Sequence, residues 1–467
     1  MDKERRKKLQ TMRLIITEVF MLIIIILTVI ILTFIVMGYH LNENGELEQS
    51  GLVQIESIPT DASVTIDGEV LNIKTNTSKI LPEGKHTVSL AKDGYTSWEK
   101  TFETHSGLLT KLTYPRLYKT ERKTEIVKKL EETPELFVVS PSRNYILTSS
   151  EKSGILKLLN LNSNDLKTTE IDLTIIIGKE VSELKVLSWN SSEERIIISF
   201  SRDNETHFAV VELTRPERSI DLSTTFNLKI SDLSFANDYG DRLFILENNS
   251  LRIISLSSRE LSEVVAKDVT HFSNSNNRAI FVDKSSKISL YDDNSKSIIF
   301  LKKASAENTR ALISEYIGRF TLALLEDNEL TIYRGNLPTE NVSADKPLPD
   351  PVGKTTLEFG VPDNFKTEAK NQIILTSKEN NFSVFDLENY AFSSYTLENN
   401  LTFWPDDYTI GLVSDGKLVF RDFDGTNKVT LGDSLAGFPA VITKNDKYLY
   451  HLSKTEQDLN LVREEIK

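Results

Sequence analysis

The sequence predicts an all-β protein carried on a single apolar helix at its N-terminus. Three observations support this fold class: an uncharged block from Val19 to Met37, period-two alternation of apolar and polar residues through most of the later chain, and a unit of strands and turns that recurs from about Ser140 onward. We divide the 467 residues accordingly. The predicted segments are a basic tail at 1–13, a transmembrane helix at 14–38, a polar stalk at 39–50, a small β-sandwich at 51–118 and a repeat domain at 119–467.

The uncharged block is long enough to cross a bilayer. Its nineteen residues, at about 1.5 Å each in a helix, span roughly 28 Å, close to the ~30 Å hydrocarbon core. An excess of Lys and Arg on one side of a membrane helix predicts that this side is cytoplasmic. The basic residues that precede the block are Lys3, Arg5, Arg6, Lys7, Lys8 and Arg13. We therefore expect a single-pass cell-membrane protein with a cytoplasmic N-terminus, an extracytoplasmic remainder after Gly38, and the lipid bilayer as partner of the helix.

A cleaved secretory signal is the alternative interpretation of the same block. Such a signal has a shorter apolar region of about 7–15 residues, followed by small residues at the cleavage site. The segment from Met37 to Asn42 lacks that pattern. An uncleaved signal-anchor is therefore expected.

Charge and cysteine content exclude several classes of function. The net charge is −13; residues 1–13 contribute +4 and Glu18 contributes −1, so the exported part carries about −16. Such an acidic surface repels phosphate backbones, and nucleic acid is not an expected partner. The chain has no cysteine, which excludes thiol catalysis, disulfides and Cys-ligated metal. A disulfide-free exported chain favours a bacterial cell envelope.

Short strands with tight turns follow the predicted stalk. Val53 and Ile55 alternate with polar residues, residues 62–66 do the same, and Asp67-Gly68 then supplies a turn that requires positive φ. Further strands are predicted at 86–90, 96–104 and 108–113. Five or six short strands in about 65 residues, with Gly and Pro at the corners, predict a small β-sandwich.

This module resembles a known family. The run LPEGKHTV at 81–88 and the later Asp-Gly-Tyr at 93–95 resemble the PEGA domain, a small β-module of prokaryotic envelope proteins, and residues 58–68 look like its opening hairpin. The resemblance covers roughly residues 51–117. Lys85 replaces the motif's Ala, and Lys74–Ser78 replaces a Gly-x-Thr-Pro turn, so we expect a different loop there. The motif residues, which we interpret as structural turns, are Pro82, Glu83, Gly84, Gly94 and Tyr95.

The recurring unit predicts a β-propeller. The mean step between first strands is about 43 residues, as in a four-stranded propeller blade. The predicted first strands lie near Phe137, Val186, Leu233, His271, Leu312, Phe365, Phe403 and Ala440. Eight first strands imply eight blades; seven remain possible if the copy near Leu312 merges with a neighbour, and a stacked pair of β-sandwiches is the alternative fold.

The last copy supplies only three strands. Thr124–Leu130, an apolar segment just before the first copy, is the candidate for the missing fourth strand, which would bury both sheet edges. The turns at 139–145, 188–195 and 403–408 resemble, in degenerate form, the W-S-P-D-G turn of TolB-type and WD40-like propellers. The resemblance is to an architecture and implies no activity by itself.

Enzyme signatures are not evident in the sequence. It has no Gly-x-Ser-x-Gly elbow, His-Glu-x-x-His helix or Walker-type loop, and its six histidines are scattered. The acidic pairs at 292–293 and 406–407 are best interpreted as solvated turns, and the proline-rich loop from Gly335 to Gly353 as a surface excursion. We therefore predict no catalytic, cofactor-binding or metal-binding residue and no cofactor.

The expected function is recognition or scaffolding in a prokaryotic cell envelope, with an envelope or surface protein or a glycan bound by propeller loops. Enzymatic activity is left open but is less favoured. The alternatives are an extracytoplasmic glycan hydrolase or lyase with carboxylates at the channel mouth, and an envelope-assembly factor that captures peptides on blade edges.

Overall fold

The computed structural model describes residues 3–41, 45, 47–149, 154–163, 165–178, 182–343, 346–454 and 458–467. The chain forms two compact units, Met1–Thr120 and Glu121–Lys467. Each unit has its own buried core, and each is described by itself.

One long helix, α1 (Lys3–Val36), begins the first unit. Its stretch Thr11–Val36 is long and apolar enough to cross a membrane, and none of it is buried inside the protein. Its polar hydroxyls are satisfied within the helix, since Thr28 and Thr33 donate to the carbonyls of Ile24 (2.8 Å) and Val29 (2.7 Å). Such a helix suits an apolar surrounding. It also includes residues 3–13, which we had assigned to a separate tail.

Eight strands form two sheets after the helix. They are β1 (Tyr39–Leu41), β2 (Leu47–Ile55), β3 (Ser63–Ile66), β4 (Glu69–Lys74), β5 (Thr77–Pro82), β6 (Gly84–Ala91), β7 (Trp98–Thr104) and β8 (Leu109–Leu112). One sheet has the order β1-β2-β5 with β8 parallel to β2, and the other has the order β4-β3-β6-β7. Val53, Val64 and Leu90 are fully buried, and Trp98 packs edge-on against Tyr114 at 5.9 Å. The alternating apolar residues thus form a two-sheet core.

The segment predicted as a polar stalk instead forms strands where it is described. Tyr39–Leu41 pairs with Leu47–Gln49, and Ser50 donates its N–H to the Gly38 carbonyl at 2.8 Å. Gly107 lies so close that a Cβ there would be 3.0 Å from the Val36 carbonyl oxygen. Pairing satisfies backbone groups that a stalk would leave to water. Residues 42–44 and 46 lie outside the described part.

Eight sheets repeat through the second unit, and we number them as blades in chain order. Blade 1 is β10 (Leu136–Val139), β11 (Tyr145–Ser149), β12 (Ile155–Asn160) and β13 (Thr168–Asp172); blade 2 is β14 (Ser182–Trp189), β15 (Arg195–Arg202), β16 (Glu205–Glu212) and β17 (Ile220–Asp221); blade 3 is β18 (Ile230–Phe235), β19 (Arg242–Glu247), β20 (Ser250–Ser255) and β21 (Glu260–Leu261). Blade 4 is β22 (Val269–Ser275), β23 (Arg278–Asp283), β24 (Lys287–Asp292) and β25 (Ser297–Lys303); blade 5 is β26 (Thr309–Tyr316), β27 (Arg319–Glu326), β28 (Glu329–Gly335) and β29 (Pro351–Thr356). Blade 6 is β30 (Asn364–Glu368), β31 (Ile373–Lys378), β32 (Asn381–Asp386) and β33 (Ala391–Thr396); blade 7 is β34 (Thr409–Ser414), β35 (Lys417–Asp422) and β36 (Val429–Asp433). Two short helices, α2 (Thr174–Ile177) and α3 (Leu222–Phe226), and a 3₁₀ turn (Pro216–Arg218) connect strands.

The eighth blade closes the ring. It contains β37 (Val441–Ile442), β38 (Tyr448–Lys454), β39 (Leu459–Glu465) and, from the other end of the unit, β9 (Thr124–Leu130). β9 pairs antiparallel with β39 from Leu130↔Leu459 to Thr124↔Glu464. The prediction that this segment completes the last blade is therefore confirmed, and the unit is an eight-bladed β-propeller.

The reduced blade is not the one the sequence suggested. The copy near Leu312 is a complete four-stranded blade, whereas in blade 7 the predicted first strand shrinks to a two-way bridge between Phe403 and Gly411. Pro405 removes a donor there, and a Cβ on Gly411 would lie 2.3 Å from the Phe403 ring. The phenyl ring of Phe403 therefore packs directly on the backbone of β34.

Neighbouring blades share the apolar core. Leu147 of blade 1 and Ile198 of blade 2 belong to one fully buried cluster, and Ile280 and Ala311 join blades 4 and 5 in the same way. Each fully buried Leu, Ile or Phe side chain contributes about 1.5–3 kcal/mol. Strands buried on both faces explain why the repeat appears in the sequence as continuous apolar runs.

Candidate functional site at one mouth of the propeller

The turns that join the first and second strands of the blades lie at one end of the propeller, which we call the strand 1–2 face. The antiparallel registers place them together, opposite the turns between second and third strands. The strand 1–2 face comprises residues 140–144, 190–194, 236–241, 276–277, 317–318, 369–372, 404–408 and 443–447.

Side chains shape these turns through hydrogen bonds to their own backbone. Asn190 Oδ1 accepts the Arg195 N–H at 2.8 Å, and Asp406 Oδ1 accepts the Thr409 N–H at 2.7 Å. Asn and Asp favour such closed turns. The polar residues between apolar strands are therefore needed for the turn geometry itself.

Hydrogen bonds join every pair of neighbouring blades at or beside the strand 1–2 face. Taken in order from the contact of blades 1 and 2 to that of blades 8 and 1, they are Ser142 Oγ to Glu193 Oε2 (2.6 Å), Asn190 Nδ2 to the Tyr239 carbonyl (3.2 Å), Asn274 Nδ2 to the Phe235 carbonyl (2.7 Å), Asn276 Nδ2 to Glu315 Oε2 (2.7 Å), Asn371 Nδ2 to the Glu315 carbonyl (3.2 Å), Lys370 Nζ to Asp407 Oδ2 (2.7 Å), Ile442 N–H to the Pro405 carbonyl (2.9 Å) and Arg143 Nη1 to the Ile442 carbonyl (3.4 Å). This closed set holds the turns in fixed positions, as a binding surface requires.

A cavity of about 520 Å³ opens within this face. Its wall is formed by the ends of the first strands of blades 2 to 6 and by the turns that follow them. Hydroxyl and amide side chains dominate that wall: Ser188, Ser191, Ser234, Ser275, Ser314, Thr367, Asn190, Asn237, Asn274, Asn276 and Asn371. The volume lies within the roughly 300–1,000 Å³ of small-ligand sites.

Three residues of the wall hold buried polar atoms without a hydrogen-bond partner among the described residues. They are the Oγ atoms of Ser188 and Ser314 and Nε1 of Trp189; Ser314 is only 2% exposed. A buried polar group without a partner costs about 1–3 kcal/mol. Similar atoms occur elsewhere in the described structure, such as Ser149 Oγ in blade 1 and Thr321 Oγ1 in blade 5, so these three atoms do not by themselves mark a ligand site.

Two carboxylates line the cavity, and both take part in inter-blade contacts. Asp238 Oδ1 accepts from Ser191 Oγ at 2.7 Å, and Glu315 accepts from Asn276. In the part of the chain that the structure describes, no group of three or more His, Asp or Glu side chains is arranged to hold a metal ion. These two carboxylates therefore have an evident role in positioning the turns.

Behind the mouth, His271 links the first strands of blades 4 and 5. Its Nε2 lies 3.1 Å from the Ala311 carbonyl oxygen. Burial lowers the pKa of His271, which favours the neutral ring with Nε2–H as donor. It is a structural histidine of the sheet.

The turn residues predicted from the sequence lie in the first unit, at two separate turns. Pro82 ends β5, Glu83 follows it, and Gly84 begins β6 with φ of 137°. Gly94 has φ of 78°, and Tyr95 forms an isolated bridge with Lys119 in the connection from β6 to β7. The Pro82 carbonyl accepts from His86 Nε2 at 2.8 Å. These residues shape corners of the module, while the cavity belongs to the propeller.

The sequence did not identify the cavity residues as a site. Trp189 was recognised only as part of a turn, and Ser314 directly follows three apolar residues in β26 without a motif that marks it. The Asn- and Ser-rich runs at 190–192 and 273–277 are local signals that could have marked this face. The described part of the loop from Gly335 onward instead covers the edge of β25, where the Val342 N–H donates to the Phe300 carbonyl at 2.9 Å.

Comparison with solved structures finds matches of low sequence identity. The β-propeller domain of Cps50 (Swd1) from Myceliophteria thermophila is 8% identical, with 73% of this chain and 99% of that chain covered and a TM-score of 0.41. The computationally designed protein Ika8 is 10% identical, with 73% and 100% covered and a TM-score of 0.44. The eight blades follow from the strand pairing of this chain itself.

Comparison by sequence adds the family of the small module. No curated protein is significantly similar to this chain. The family model of the PEGA domain matches residues 50–117, which are the two-sheet module after the helix. The chain therefore contains a PEGA domain, followed by an eight-bladed β-propeller.

Proposed function

We propose that this chain is a membrane-anchored recognition or scaffolding protein of a prokaryotic cell envelope. It binds an envelope or surface protein or a glycan through the strand 1–2 face of its propeller. The observation that carries this proposal is a cavity lined by hydroxyl and amide side chains, set in a face whose turns are joined by hydrogen bonds around all eight blades.

The apolar helix supports the membrane anchorage. Its side chains from Leu14 to Met37 expose apolar surface that water would not tolerate along a free helix. The basic residues before it favour a cytoplasmic N-terminus, and the acidic remainder disfavours nucleic acid and anionic lipid as partners. A PEGA domain between anchor and propeller agrees with an extracytoplasmic position.

The rigidity of the strand 1–2 face supports a role in recognition. A surface that is already ordered loses little conformational entropy when it binds, so more of the contact energy appears as affinity. Functional loops on a rigid scaffold are the common arrangement in binding proteins.

Photo-crosslinking in intact cells tests this proposal. A photoreactive phenylalanine at Tyr239, which is 79% exposed beside the cavity wall, should capture a ligand. The matched position is Asn248, an exposed residue in the turn at the opposite end of the same blade. We expect adducts at 239 that are absent at 248. Equal capture at both positions, or no adduct at either, would contradict the proposal.

A further inference from the structure

We infer that the ligand of the propeller cavity is an uncharged oligosaccharide. This inference rests on the proposed function and adds the chemical class of what is bound. It follows from the charge, the hydrogen-bonding groups and the apolar surface of the cavity wall.

The wall disfavours anionic ligands. It contains no Lys, Arg or His among the described residues, and its charged members are the carboxylates Asp238 and Glu315. Phosphate, carboxylate and sulfate ligands are recognised by cationic side chains or by helix N-termini. The wall offers amides and hydroxyls instead, at the ends of strands and in turns.

Hydroxyl-rich ligands match the hydrogen-bonding groups of the wall. A serine hydroxyl both donates and accepts, as does a primary amide through its two ends, and a sugar hydroxyl has the same double capacity. The wall carries hydroxyl and amide side chains at the ends of first strands and in turns, among them Ser275, Asn237 and Asn276. A sugar hydroxyl can serve both the donors and the acceptors of such a wall, whereas an apolar ligand can serve neither.

Apolar surface lies among these polar groups. Trp189, Phe235 and Ile317 line the same cavity, and Ile317 is 66% exposed at the hairpin tip between β26 and β27. Ile317 has φ of 48°, a conformation that a β-branched residue rarely adopts and that is concentrated at functional sites. The C–H face of a pyranose ring packs on such aromatic and aliphatic surfaces, so the mixture of surfaces suits a sugar.

Direct titration of the purified full chain in detergent tests the inference. The probes are maltotriose, cellotriose, mannotriose and triacetylchitotriose as uncharged trisaccharides, with trigalacturonate as the anionic comparison. We expect at least one uncharged probe to bind with a dissociation constant below about 1 mM and trigalacturonate to bind more weakly than that probe.

Ser275→Ala separates a binding role from a structural one. Ser275 lines the cavity at the end of β22 and is half-buried, so the loss of its hydroxyl should leave the melting temperature unchanged. Affinity for the bound trisaccharide should fall by roughly 3–10-fold, the loss of one hydrogen bond. Ser201→Ala is the matched control, because Ser201 is also a half-buried strand serine but lies beside the turn at the opposite end of blade 2. It should bind as the unsubstituted chain does.

Three outcomes would overturn the inference: no uncharged probe binds, trigalacturonate binds more tightly than they do, or the two serine variants show the same affinity. If a protein is crosslinked at position 239 while all uncharged sugars fail, the proposed function stands and the ligand class is wrong. If nothing is captured there, the proposed function itself is contradicted.

Discussion

At the scale of single residues, two glycines show how closely neighbouring blades are fitted. Gly240 and Gly416 both have left-handed backbones, with φ of 67° and 73°. A Cβ on Gly240 would lie 2.8 Å from Cβ of Asn190 in the neighbouring blade, whereas one on Gly416 would have nothing within 4 Å. Gly240, at the contact of blades 2 and 3, is therefore required both by its backbone conformation and by the lack of space for a side chain. Gly416, in the blade 7 turn, is required only by its backbone conformation.

Gly240→Ala should destabilise the propeller more than Gly416→Ala. Both variants lose about 1–2 kcal/mol from the left-handed conformation. Gly240→Ala should lose about 1–3 kcal/mol more, because Asn190 must move. Urea unfolding of the two variants measures the difference. Equal free energies of unfolding would show that the blade contact is looser than the structure indicates.

At this scale the turns could be predicted from the sequence, whereas the cavity could not. The polar turn at 190–194 was predicted from its composition, and it forms such a turn. The unpartnered Oγ of Ser314 depends on how blades 4, 5 and 6 pack, which alternation along one strand does not specify. Alternation along a strand predicts which side chains share a face of that strand. Which residues of neighbouring blades they contact is determined only when the propeller ring is closed.

At the scale of elements, the closing strand β9 decides whether the ring has a free edge. Three described ion pairs join β9 and the residues before it to β39 and the residue before that strand, and one of them is Arg463 Nη2 to Glu125 Oε2 at 2.6 Å. Arg122 Nε lies 2.7 Å from Glu464 Oε2, and these side chains are 18% and 5% exposed. Lys129 Nζ lies 3.0 Å from Asp458 Oδ2, and those side chains are 67% and 46% exposed.

Arg122→Ala should weaken the closure, while Lys129→Ala should barely affect it. Removing Arg122 takes a charged hydrogen bond from the buried Glu464, which costs about 1.5–3 kcal/mol. The exposed pair at Lys129 contributes about 0–1 kcal/mol. Unfolding free energies and the rate of proteolysis between residues 119 and 135 report on both variants. A loss of the same size from Lys129→Ala would contradict a closure held by its buried pair.

Glu464 makes this closure sensitive to acid. Burial alone would raise the pKa of Glu464, but the hydrogen bond and charge of His451, together with Arg122, hold that pKa below its usual value. A lowered pKa in the folded state stabilises the fold above the unfolded value of about 4.3, and this contribution disappears as the pH falls through the folded value.

The stability difference between the unsubstituted chain and Glu464→Gln should therefore depend on pH. We expect the unsubstituted chain to be more stable at pH 7 and the difference to shrink steadily below about pH 4. Denaturant unfolding at several pH values measures it. A difference that stays constant down to pH 3 would show that the charge of Glu464 contributes nothing to the closure.

Strands with a strong apolar pattern were predicted, whereas strands whose formation depends on pairing with a distant partner were missed. The strand at 124–130 and the eight first-strand positions were visible as apolar runs. The strand Tyr39–Leu41 was missed because it is short and its partner strand begins in polar residues. Blade 7 was expected to have a full first strand, since a sequence does not show that a Phe ring will occupy the space above Gly411.

At the scale of the whole molecule, a repeat of similar units made the architecture predictable. Each blade buries its apolar faces only against its neighbours, so a regular period specifies the ring without any long-range information. Chain order also determined which segment closes it. The repeat does not predict the ligand, because propellers of one architecture serve many functions.

The proposed topology places the propeller outside the cell membrane and the N-terminus inside the cell. Because the chain has no cysteine, one engineered thiol gives an unambiguous label. Asn248→Cys places it on an exposed propeller turn, and Gln10→Cys places it just before the apolar stretch of α1. With a membrane-impermeant maleimide on intact cells, the account predicts labelling of Asn248→Cys at once and of Gln10→Cys only after lysis. Labelling of Gln10→Cys in intact cells, or protection of Asn248→Cys until lysis, would contradict it.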